Sequence, residues 1–78
     1  MKTARQSNAN TPLIKASTVL TELARHVTAD DRKAAINEFG YNRMTIRYYL
    51  KGQVNDIDIA MNMIRFFRKR IEERENEL

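Results

Sequence analysis

The sequence predicts an all-α fold, a small domain of four helices of which the last is the longest. Three observations carry this. Helix breakers are scarce, with two glycines and one proline in 78 residues, while Ala, Leu, Ile, Met, Arg and Glu, which favour helices, are plentiful. Apolar residues recur three and four apart, and no stretch alternates as a strand would. Each such stretch opens on a capping residue, and the middle two close on glycine. A chain this short makes one domain, and one of this size buries only about 60% of its unfolded surface. Without cysteine it has neither a disulfide staple nor a thiolate metal site. Association with a second copy is then the expected source of further stability.

Residues 1–10 are polar, with Lys2 and Arg5 but no apolar periodicity, and predict a flexible basic arm ahead of a folded domain over 11–78. Thr11-Pro12 reads as a helix start, Thr as N-cap and Pro at the first helical position. Leu13, Ala16, Leu20, Leu23, Ala24 and Val27 then form one apolar stripe, giving a first helix over about 12–26. Ser17-Thr18 offers an alternative, later start. Thr28 opens the second helix, its hydroxyl placed to accept first-turn amides and Asp30 and Asp31 suited to the positive end of the dipole. Ala34, Ala35, Ile36 and Phe39 are its apolar content, and Gly40 ends it. Asn42 caps a short third helix over about 43–51, stopped by Gly52. Asn55, Asp56 and Asp58 open the fourth, which runs from about 56 to 75.

Charge is unevenly distributed. The net charge of +4 divides into +5 over residues 1–55, +2 over 56–71 and −3 over 72–78. Residues 41–55 hold three bases and no acid. A positive segment free of acids is a stronger sign of a phosphate-facing surface than the overall isoelectric point. No stretch approaches the roughly 20 apolar residues of a membrane span, and residues 1–10 lack the apolar run of a signal peptide. The expectation is a soluble, cytoplasmic protein.

The second and third helices are separated by about three residues around Gly40, and the third is short and basic. Two helices meeting at such a turn form a helix-turn-helix. Gly40 stands where the turn needs a positive φ. Ile46, Tyr49 and Leu50 fall on one face and predict how the third helix packs. That leaves Asn42, Arg43, Met44, Thr45, Arg47, Tyr48 and Lys51 outward. Arg pairs bidentately with guanine and Asn with adenine, Thr and Met methyls can touch the thymine methyl, and Tyr and Lys suit phosphates. A recognition helix enters the major groove by its N-terminal end, here Asn42-Arg43-Met44-Thr45.

From Ala34 to Gly52 the chain resembles the phage-repressor and Cro-like helix-turn-helix family, and Thr45-Ile46-Arg47-Tyr48-Tyr49-Leu50-Lys51-Gly52 is similar to the recognition helix of that family and of the Lac-repressor headpiece. The likeness covers about 20 residues well and some 60 loosely. Family members usually have a small residue four places before the turn glycine. Here that place is Ile36, preceded by Ala35, so either the helices cross wider or the turn is one residue longer. Members also tend to have a fifth helix, and four are readable here. The resemblance implies a sequence-specific regulator of transcription, a repressor that binds a two-fold operator in double-stranded DNA as a homodimer and blocks polymerase. No cofactor and no small-molecule ligand are implied. Lys2 and Arg5 would follow the DNA from the arm.

Other residues offer little chemistry. His26 is the one histidine, without a carboxylate cluster beside it, and reads as a helix-end residue rather than a metal ligand. Asp30-Asp31 and Asp56-x-Asp58 stand in first turns, where acids stabilise the dipole. No phosphate loop, nucleophile constellation or dinucleotide fingerprint is present, so no enzyme is expected.

The fourth helix carries two apolar faces. Ile57, Ala60, Ile64, Phe67 and Ile71 form one, continued in register by Arg74 and Leu78, and Ile59, Met63 and Phe66 form the other. Three short helices are expected to cover only one of them, which makes this helix the dimer interface through Ile57, Ile64, Phe66, Phe67 and Ile71. The run Arg65, Arg68, Lys69 and Arg70 reads as a solvated face pairing with Glu72 and Glu73. A rival reading of another class is an adaptor or anti-repressor that docks a protein partner through the fourth helix.

Overall fold

The computed structural model describes residues 2–76, with side chains from Thr11 onward. It contains four helices, α1 (Lys2–Leu23), α2 (Ala29–Phe39), α3 (Arg43–Leu50) and α4 (Ile57–Asn76), and no strand among the described residues. The all-α architecture and the order of its elements are those the periodicity predicts.

The first helix differs from expectation at both ends. It begins at Lys2, so Pro12 lies inside it rather than at its first position. Lys, Ala, Arg and Gln in 2–6 are good helix formers, so continuation competes with the Thr11 cap, at the loss of the one backbone bond Pro12 cannot donate. The arm proposed for 1–10, with the Lys2 and Arg5 side chains, lies outside the described side chains. At the other end α1 stops at Leu23 and tightens, with His26 N–H donating to the Leu23 carbonyl at 2.8 Å.

The other boundaries follow their caps. Thr28 and Asp31 form a capping box: Thr28 Oγ1 accepts from the Asp31 amide at 3.1 Å, and Asp31 Oδ2 accepts from the Thr28 amide at 2.9 Å. Gly40 closes α2 in the left-handed region at φ 72°. Asn42 Oδ1 accepts from the Met44 amide at 2.7 Å and starts α3 after a turn of three residues, 40–42. Asp56, rather than Asn55, caps α4, its Oδ1 accepting from the amides of Asp58 and Ile59. Asn55 instead accepts from the Tyr49 hydroxyl at 2.6 Å, tying α3 to the start of α4.

α4 is the spine. It packs along α1 and against α2, while α3 rests on α1 and α2. The centre holds Leu20, Ile46, Met63 and Phe67, all essentially without solvent exposure, with Ala16, Ala35 and Ala60 buried beside them. This corrects two residues of the interface assigned to α4. Ile64 and Phe67 are buried in the domain's own core, and Ile57, Phe66 and Ile71 pack against it half-buried. α2 reaches the second face in part: the Phe39 ring meets Phe66 edge-on at 5.4 Å and stacks on Tyr41 at 5.1 Å.

A second correction concerns the basic run. Arg70 is not part of a solvated ladder: its Nε donates to Asp31 Oδ1 at 2.7 Å. Arg74 Nη1 donates to both oxygens of Asp31 at 2.7 and 2.8 Å, and its Nη2 donates to the His26 carbonyl at 2.7 Å. Asp31 is therefore a buried carboxylate joining the α1–α2 turn, the start of α2 and the end of α4, rather than only a helix-dipole acid. Among the described residues Arg68 and Lys69 form no ion pair with Glu72 or Glu73, and the ion pairs are those of Asp31.

Candidate nucleic-acid interface

α2 and α3 diverge from the turn at Gly40 and enclose a concavity of about 570 Å³. Helical spacing decides what lines it. Ala29, Arg32, Lys33 and Ile36 recur three and four apart on one side of α2, roughly opposite the side from which Asp31 and Ala35 enter the core. On α3, Arg43, Arg47 and Lys51 recur every four residues along the flank that faces α2. Ala24, Ile36 and Leu50 contribute apolar lining.

Five bases thus surround one concavity, and no acid lines it. Lys33, Arg43, Arg47 and Lys51 are exposed, and Arg32 is half-buried. None of the five is in an ion pair among the described residues. Asp30 and Glu38, the other acids of α2, are exposed and lie off the lining. Unneutralised bases held on two rigid helices produce a focused positive potential, and they can meet successive phosphates without first breaking internal ion pairs.

The remaining faces of α3 are as its periodicity predicts. Ile46, Tyr49 and Leu50 are buried. Met44 and Tyr48 project outward, at 44% and 45% exposure. Thr45 is half-buried on the flank away from α2, in a shallow recess with Tyr48, Tyr49, Gln53, Asn55 and Ile59. Asn42 is exposed, but its side-chain oxygen is engaged as the α3 cap, which leaves its amide group free to donate.

Of the residues singled out from the sequence, Arg43, Arg47 and Lys51 come together in the concavity, while Met44 and Tyr48 form the outer face of α3, Asn42 caps its start and Thr45 lies on its far flank. Arg32 and Lys33 were missed. Their signal was present: a basic pair at the same helical register as Ala29 and Ile36, on the side of α2 opposite its buried alanine. Ile36 sits in the concavity with Leu50, and the small residue buried in the core is its neighbour Ala35. The described residues contain no group of His, Cys, Asp or Glu able to hold a metal ion, and none of their helices is long and apolar enough to cross a membrane.

No protein-family profile, curated protein or solved structure matches the chain.

Proposed function

We propose that this chain is a sequence-reading, double-stranded DNA-binding regulator of transcription in which α2 and α3 are a helix-turn-helix and α3 enters the major groove. The observation that carries the reading is the acid-free set of five bases, drawn from both helices of the motif around one concavity. Arg32 and Lys33 on α2 and Arg43, Arg47 and Lys51 on α3 hold the phosphates of one strand, and the outward residues of α3 reach base edges. The protein acts as a cytoplasmic repressor of the phage type, as a homodimer on a two-fold operator, because one α3 reads too few base pairs to select a site in a genome. The surface pairing the copies excludes Ile64 and Phe67, which the core occupies. The DNA reading is favoured over an adaptor docking through α4 because Ile64 and Phe67 of that helix are occupied by the chain's own core.

The test is titration of a mixed-sequence DNA duplex at several salt concentrations. A protein neutralising n phosphates loses affinity with a log–log slope near −0.9n. Arg43→Ala and Arg47→Ala each lower affinity on every duplex and reduce the slope by about one. Affinity independent of salt, or unchanged in both variants, rejects the reading. Sedimentation at micromolar concentration tests the dimer directly: a 9.2 kDa species refutes it.

A further inference from the structure

The large apolar side chains left exposed among the described residues are Ile14, Met44, Tyr48 and Met61. Ile14 and Met61 stand on separate helices, α1 and α4. Met44 and Tyr48 share α3, four residues apart, and so form one ridge with side chains about 5–6 Å from each other. They lie on the side of α3 away from buried Ile46 and Leu50, at the crest of the helix. Arg43, Arg47 and Lys51 are turned toward α2 and border this ridge on one side. An apolar crest flanked by unpaired bases fits a partner that is anionic at its edge and apolar at its centre. The major groove of duplex DNA has that layout wherever thymine is present, since its 5-methyl group is the apolar feature of the groove floor.

We infer that Met44 and Tyr48 are the specificity-determining residues of α3, reading the 5-methyl groups of thymines on two neighbouring base-pair steps while Arg43, Arg47 and Lys51 hold the adjacent phosphates. This rests on the DNA-binding reading above and divides its labour. The arginines supply affinity common to all sequences, and the crest supplies preference for thymine-bearing steps. The spacing is compatible: 5–6 Å between i and i+4 side chains falls between one and two rises of about 3.4 Å along a strand, within reach of thymines on neighbouring steps. The Tyr48 ring stands 45% exposed at the crest, so it is open to lie against a methyl group.

The experiment compares a duplex selected from a random pool in two forms, one with thymine and one with deoxyuridine, which differ by the 5-methyl group alone. The expected result is about fourfold weaker binding to the deoxyuridine form for each methyl contacted, the effect of burying one methyl group. In Met44→Ala and Tyr48→Ala, both exposed positions where the fold tolerates truncation, affinity for the thymine form falls and the thymine-to-uracil ratio moves toward one. Equal binding of the two forms by the wild type, or a ratio that survives either substitution, overturns the inference. If that happens while binding remains steeply salt-dependent, the helix-turn-helix reading stands. If neither duplex is bound in a salt-dependent way, both fail together.

Discussion

Asp31 shows how one residue joins distant parts of the chain. Burial pushes its carboxyl pKa up, but the Thr28 amide and the Arg70 and Arg74 guanidinium groups outweigh burial and hold it at about 2, below the ordinary 3.8. The folded carboxyl is therefore more acidic than the unfolded one, and the unfolded chain binds the proton more tightly. Its stabilisation is complete above about pH 4 and is lost as pH falls through about 2, a contribution of about 2 kcal/mol. Asp31→Asn removes it. Urea denaturation should show the variant about 2 kcal/mol less stable than wild type near neutral pH, with the gap closing between pH 4 and pH 2. A gap of constant size across that window would mean that Asp31 acts by shape rather than charge. Arg70 and Arg74 keep 37% and 42% side-chain exposure, so their own groups reach water once the partner is gone.

The helix junctions show which glycines are demanded by backbone alone and which also by packing. Gly40 has φ 72°, and a Cβ placed on it meets nothing within 4 Å. Gly40→Ala should cost only the left-handed penalty of about 1–2 kcal/mol. Gly52 has φ 93°, and a Cβ there comes to 2.8 Å from Ser17 Oγ and 3.0 Å from Thr21 Cγ2. Ser17 can swing away only by giving up the bond its hydroxyl donates to the Gly52 carbonyl at 2.8 Å. Gly52→Ala should therefore cost about 2–4 kcal/mol, strain and overpacking together. Thermal melting of the two variants checks the order; equal losses would show that α1 and the α3–α4 loop can part without penalty. The effect matters for the interface, because that loop fixes where the end of α3, with Lys51, rests on α1.

For the whole molecule, the decisive fact is that the middle of α4, through Ala60, Met63, Ile64 and Phe67, is buried in the core of its own chain. Phe67 has no exposed surface, so Phe67→Asp does not produce folded monomers but removes a central ring and buries a charge in its place. The ring alone is worth about 3–5 kcal/mol, a large share of the stability open to a domain of this size. Circular dichroism at 25 °C should show the variant largely unfolded. A folded, monomeric Phe67→Asp protein would instead return that face of α4 to a subunit boundary.

Local features are legible in the sequence. Thr28, Gly40 and Asn42 mark helix ends because capping joins residues two to four apart, and the split of α3 into buried Ile46, Tyr49 and Leu50 and outward Arg43, Met44, Arg47, Tyr48 and Lys51 follows from a 3.6-residue period. The start of α1 was misread because a capping Thr-Pro and a run of helix formers compete at short range, with nothing in the sequence to rank them. The remaining features depend on how the helices fold against one another. That packing brought Arg32 and Lys33 beside Arg43, Arg47 and Lys51, closed α4 against α2 through Phe39 and Phe66, and joined Asp31 to Arg74 across 43 residues and Ser17 to Gly52 across 35. Periodicity tells which face of a helix is apolar or charged. It does not tell which other face that one will meet, because that depends on how the helices pack together, a property of the whole chain.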